Sequence, residues 1–153
     1  MDANTLTDPR VEQFENVIRG PDFPCVGAKS ALATGNMEFV LARDLTSAWN
    51  DIKIHEALMA WAKRDLPADE LRSLVVIFDR PLDLDEKAFE EAMWERLQSL
   101  ADKDVWLSQR PDPSVSSNPA EPDFSLSFGG RAFFVVGLHP NASRPARRFP
   151  RPS

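Results

Sequence analysis

Gly129-Gly130-Arg131-Ala132-Phe133-Phe134-Val135-Val136-Gly137-Leu138-His139-Pro140 is the stretch on which the fold turns. Phe133 to Val136 are aromatic or β-branched, the side chains that suit a pleated, packed surface. The run is too short for a helix and is bracketed by Gly-Gly and His-Pro, both breakers. An almost continuous apolar run predicts a strand buried on both faces at the centre of a sheet. Pro140 lacks a donor and holds His139 extended, so the strand is expected to run from Ala132 to about His139. Upstream, Phe124 to Phe128 alternates. With Gly129-Gly130 as the turn, the two runs form a hairpin.

Beyond His139 the composition changes. Arg144, Arg147 and Arg148 fall within five residues, Arg151 follows, and no acid occurs from Asn141 to Ser153. The whole chain carries a net charge of −6, so this basic tail stands against an acidic remainder. A buried strand would thus deliver one imidazole to its end, with fixed positive charge just past it. Arginine alone, without lysine, favours paired hydrogen bonds to a carboxylate or phosphate. A solvated face, or salt bridges to acids such as Asp85 or Glu90, is the plainer reading of the same cluster.

Working back to the start, residues 1–8 read as a disordered lead. Asp8-Pro9 is a cap followed by a first-turn proline, and Val11, Phe14, Val17 and Ile18 recur at helical spacing until Gly20-Pro21. A helix from about 9 to 19 follows. Phe23-Pro24-Cys25 opens a second short helix through Ala28, Ala31 and Leu32, ending near Gly35. Cys25 then sits at a helix N-terminus, a place for reactive thiols, and is expected to be partly buried. It serves equally as a small buried hydrophobe.

Met37 to Leu41 reads as a strand. Asp44 or Thr46 is expected to cap a helix reaching about Arg64, with Ile54, Ala57, Leu58 and Trp61 as its apolar stripe and His55 beside it. Leu74 to Phe78 is a buried strand. Asp83 or Asp85 opens a further helix with acids in its first turn. Its stripe is Phe89, Met93, Leu97 and Leu100, and its end is expected near Asp102. Arg110 to Asp123, with four prolines and three serines, is a loop. The expected architecture is α+β or α/β: one mixed sheet of about four strands with helices packed against it. Residues 9–153 form a single domain.

At 153 residues with 42% hydrophobic and 27% charged, the chain suits one ordinary globular domain. The acidic balance argues against non-specific nucleic-acid binding. No apolar run approaches a membrane span, and the N-terminus lacks a signal-peptide pattern. One cysteine fits a reducing cytoplasm. Two histidines and one cysteine limit the candidate metal ligands to His55, His139 and Cys25. Neither a three-ligand metal spacing, a glycine-rich dinucleotide fingerprint nor a Gly-x-Ser-x-Gly motif occurs.

Two motifs together carry a resemblance. Phe23-Pro24-Cys25 before a small-residue helix, and Gly137-Leu138-His139-Pro140 before Ser143-Arg144-Pro145-Ala146-Arg147-Arg148-Phe149, resemble the YqcI/YcgG family, and so does the element order between them. The second motif is the specific one, and the resemblance covers roughly residues 10 to 150. It implies a haem-dependent oxygenase that hydroxylates nitrogen in amino-acid or guanidine-containing substrates, with haem b as cofactor and a separate electron donor. It also implies His139 as axial iron ligand, and Arg144, Arg147 and Arg148 as partners of the haem propionates or a substrate carboxylate. Cys25 would lie beside the pocket without binding iron. A homodimer is compatible with it. The chain is shorter than the family pattern: it ends soon after Arg-Arg-Phe and lacks a later Trp-x-Cys-Pro-Phe motif, so a C-terminal portion is expected to be missing. A non-enzymatic anion-binding module built on the arginine loop is the rival reading; without the resemblance, part of a larger domain whose arginines pair with acids such as Asp85 or Glu90 is the preferred one.

Overall fold

The structure is a computed structural model that describes residues 8–65, 67 and 70–153. The expected disordered lead falls on residues 1–7, outside this range, apart from Asp8, which is ordered as a helix cap.

The central unit is a parallel pair. β1 (Met37–Asp44) and β2 (Ser73–Arg80) align from Met37 opposite Ser73 to Asp44 opposite Arg80. Alternation sends their side chains to two cores, as strand geometry requires. Val40, Ala42, Leu74, Val76 and Phe78 join one cluster, and Met37, Phe39, Leu41, Val75 and Ile77 join the other. Apolar side chains on both faces are what a covered parallel pair demands.

Helices cover both faces. On one lies α1 (Pro9–Arg19), capped by the Asp8 carboxylate, which accepts from the Arg10 amide, and burying Val11, Phe14 and Ile18. It contacts α2 (Val26–Ala33). On the other face lie α3 (Asp51–Ala62) and α4 (Glu86–Trp106). Two starts differ from expectation. Asp44 and Thr46 do not cap α3: the Asp44 carboxylate accepts from the Thr46 amide and hydroxyl in a local turn, and the helix begins seven residues after Asp44. Of the two acids proposed for α4, Asp85 is the cap, accepting from the Ala88 amide. The helix also runs one turn beyond Asp102.

The hairpin is real but short. β3 (Leu126–Phe128) and β4 (Arg131–Phe133) pair antiparallel around Gly129 and Gly130, both with positive φ. The α+β class and the four strands stand, but they form two separate two-stranded sheets. The expected long buried strand from Ala132 to His139 is corrected. It stops at Phe133, and Phe134 is 89% exposed. β3 offers three residues of ladder, so it pairs nothing beyond Phe133, and an unpaired segment does not hold a strand however apolar it is.

The stretch from Leu138 is tied differently. Leu138 exchanges both backbone hydrogen bonds with Ser153 at 2.9 Å, and the Phe78 amide donates to the Pro152 carbonyl at 2.8 Å. The tail therefore links the end of β2 to the residue preceding His139.

Candidate functional site

His139 is 3% exposed and is held at its backbone by two hydrogen bonds: its amide donates to the Arg147 carbonyl, and the Phe149 amide donates to its carbonyl. Its ring stacks on Phe89, with centroids 4.1 Å apart and planes 15° from parallel. Nδ1 is buried without a hydrogen-bond partner. Burial pushes the imidazole below its usual pKa, and the charge of Glu86 opposes that shift. Burial thus favours the neutral ring, in which one nitrogen keeps a lone pair.

The loop after His139 docks on the start of α4. Asn141 Nδ2 donates to the Leu84 carbonyl, and the Ser143 hydroxyl and amide both donate to Glu86 Oε1, at 2.8 and 3.3 Å. The Ser143 hydroxyl is the main reason the Glu86 carboxyl lies below its ordinary range, with smaller help from the Ser143 amide and Arg144. Glu86 and Phe89 are site residues that the motif reading missed. They lie three apart, on one face of α4, and the signal was there: an acid in the first turn one helical step from the first apolar stripe residue.

The three arginines have different fates. Arg148 is committed to the loop itself, with Nε donating to the Ala142 carbonyl at 2.8 Å and Nη2 to the Ser143 carbonyl at 3.2 Å. Arg144 precedes and Arg147 ends a single 3₁₀ turn, Pro145–Arg147, and their guanidinium groups have no carboxylate or hydrogen-bond partner among the described residues. Neither Asp85 nor Glu90 pairs with them.

Cys25 is not brought to His139. Its thiol caps α2, accepting from the Ala28 amide at 3.4 Å, and the residue is exposed rather than partly buried. α2 meets the chain near Leu71, ahead of β2, because Gly27 packs there. His139 is linked through Leu138, Ser153 and Pro152 to Phe78, near the far end of that strand. A side chain used as a helix cap at the outer end of a short helix has no reason to be buried.

His55, expected to be packing or solvent-facing, is buried and sits 2.6 Å through Nε2 from Asp104 Oδ1. Asp104 Oδ2 accepts the Gly129 amide at 2.9 Å. This trio joins α3, α4 and the hairpin turn and is structural.

Among the described residues no group of three or more His, Cys, Asp or Glu side chains could hold a metal ion. A haem needs only one axial side chain from the protein. In donor chemistry the site fits that group: a buried imidazole with an unpartnered Nδ1, and two guanidinium groups for carboxylates. Two surface clefts, of about 360 and 430 Å³, lie elsewhere and do not include His139. No helix among the described residues is long and apolar enough to cross a membrane.

These features define an α+β chain with one buried imidazole at the head of an arginine-bearing loop. The model of the YqcI/YcgG family matches residues 14–153, and the chain belongs to that family. The uncharacterized protein YcgG of Bacillus subtilis (strain 168) is 27% identical over 133 residues, covering 84% of this chain and 51% of YcgG. The chain thus spans about half the length of that curated relative. No solved structure matches it.

Proposed function

We propose that the protein is a haem-dependent oxygenase of the cytoplasm that hydroxylates a nitrogen of an amino-acid or guanidine-containing small molecule, with electrons from a separate donor. The observation that carries the reading is the buried imidazole of His139, neutral and without a partner on Nδ1. Haem, when bound, supplies the activation of dioxygen. The chain would hold the haem through the His139 imidazole, whose ring plane is fixed by Phe89, on a loop pinned by Glu86 through Ser143. Arg144 and Arg147 would meet the propionates or the substrate carboxylate, since a guanidinium group keeps its charge in a dry pocket. Arg148 acts one step back, by holding the loop.

The test is absorption spectroscopy of purified protein before and after addition of haemin. A Soret band is expected, lost in His139→Ala and kept in His55→Ala. Protein that stays colourless with haemin, or that needs His55 and not His139, would sink the proposal.

A second reading rests on Arg144 and Arg147 having no acid partner. They would grip a small anion with no metal at all. Binding of an anion by haem-free protein, lost in Arg147→Ala, would favour it.

A further inference from the structure

The other cleft of interest lies where β1 and β2 end. About 430 Å³ in volume, it is lined by Asp8 and Arg10 from the start of α1, Arg43 of β1, Asp79 of β2, and Asn50 and Lys53 at the start of α3. The carboxyl ends of parallel strands are where sheets of this kind hold ligands. None of the motif residues is part of this cleft.

Its charges are unequally satisfied. Arg10 bridges the two acids, reaching Asp8 Oδ2 at 2.7 Å and Asp79 Oδ1 at 2.8 Å. Arg151 adds a second cation to Asp79 at 3.4 Å. Arg43 and Lys53 have no carboxylate partner among the described residues. Lys53 Nζ donates only to the Leu41 carbonyl, at 2.8 Å. The Arg43 guanidinium makes no hydrogen bond; it lies over the ring of exposed Trp49, 5.6 Å from the centroid. The backbone beneath is fixed, because Asn50 Oδ1 accepts the Arg43 amide at 2.9 Å and ties the strand end to the start of α3. Two cations with spare donors therefore share one rim, while every acid of the cleft is already neutralised.

We propose that this cleft binds a small dianion, a phosphate or a dicarboxylate, held between Arg43 and Lys53 beside Trp49. The guanidinium fork offers paired donors to two oxygens, and the ammonium adds a point charge from the neighbouring helix. A doubly charged ligand matches two unanswered cations, and its arrival over Trp49 alters the surroundings of that indole.

The experiment is titration of the full chain with inorganic phosphate and, separately, with succinate, at constant ionic strength, read by calorimetry and tryptophan emission. Saturable binding of at least one anion is expected, and the one that saturates assigns the class. Arg43→Ala/Lys53→Ala should raise Kd at least tenfold; both side chains are exposed, so this variant is expected to fold. Trp49→Phe should abolish the emission change and keep the heat. No saturation by either anion overturns the proposal, as does an unchanged Kd in the double variant. Binding that survives Arg43→Ala/Lys53→Ala and falls in Arg147→Ala places the anion on the Ser143–Arg148 loop and overturns it too.

Discussion

The imidazole of His139 lies almost flat on the ring of Phe89, 4.1 Å between centroids. Gly137, two residues earlier, is pressed against the same ring: a Cβ there would come within 2.8 Å of Phe89 Cε1 and 2.7 Å of Met93 Sδ. The seat of the histidine is therefore set from below by one aromatic side chain and one absent side chain.

Gly137→Ala should accordingly destabilise the fold by about 1–3 kcal/mol, the usual range for overpacking. Thermal unfolding reads this directly. If haem binds His139, its retention should fall in the same variant, because Phe89, which carries the imidazole, is one of the two groups displaced. An unchanged melting temperature would show that Met93 and Phe89 yield freely.

Acid should weaken the protein in two windows. Burial lowers the His139 pKa in the folded state, so the unfolded chain binds the proton more readily. That contribution is complete above the unfolded value near 6.5 and is lost as pH falls through the folded value. Asp8 adds a lower window: its hydrogen bond from Arg10 brings it to about 2 from 3.8, so its contribution is lost between those values. His139→Gln should flatten the upper window alone in denaturant titrations across pH.

His55 and Asp104 form a buried couple whose single removals should cost about 3–5 kcal/mol, because each strands the other. Asp104→Ala should be the worse of the two, since it also strands the Gly129 amide. The double variant should fall well short of the sum. Additive losses in a double-mutant cycle would show that the 2.6 Å contact carries no coupling.

Arg147→Ala and Arg148→Ala should part company. Arg148 donates to two loop carbonyls and its loss should lower stability by about 1–3 kcal/mol, whatever ligand is present. Arg147 has no side-chain partner, so its loss should leave unfolding unchanged and weaken only ligand retention. Equal destabilisation in both variants would contradict the assignment.

Cys25→Ser should be neutral or stabilising by up to about 1 kcal/mol. The thiol is a poor acceptor at 3.4 Å, and serine is among the preferred caps. A haem spectrum altered by this substitution would bring Cys25 back to the iron.

The elements that could be read from the sequence were those whose determinants are local. Asp8-Pro9 with Val11, Phe14 and Ile18 marks α1 from both ends, and the Leu74–Phe78 run marks β2 because few other structures use so many β-branched residues. The run from Phe134 to Val136 was misread for a physical reason. Its propensity is the same paired or unpaired, and the pairing depends on β3, which ends at Leu126 in the register. Neither the burial of His139 nor its environment followed from the motif. Phe89 lies in another element and reaches it only through tertiary packing. Likewise Asp104 is 49 residues from His55, and nothing near either residue names the other.

The hairpin offers a last consequence, about the order of events as the chain folds. Strands of three residues are at best marginal alone. This pair is fastened to the helices through the Asp104 carboxylate at Gly129 and through Arg131, whose Nε donates to the Ala62 carbonyl. Its amides should therefore exchange with solvent only when α3 and α4 open, as one cooperative unit with them. In refolding, the turn should gain protection after those helices meet, although it is the most local contact in that half of the molecule.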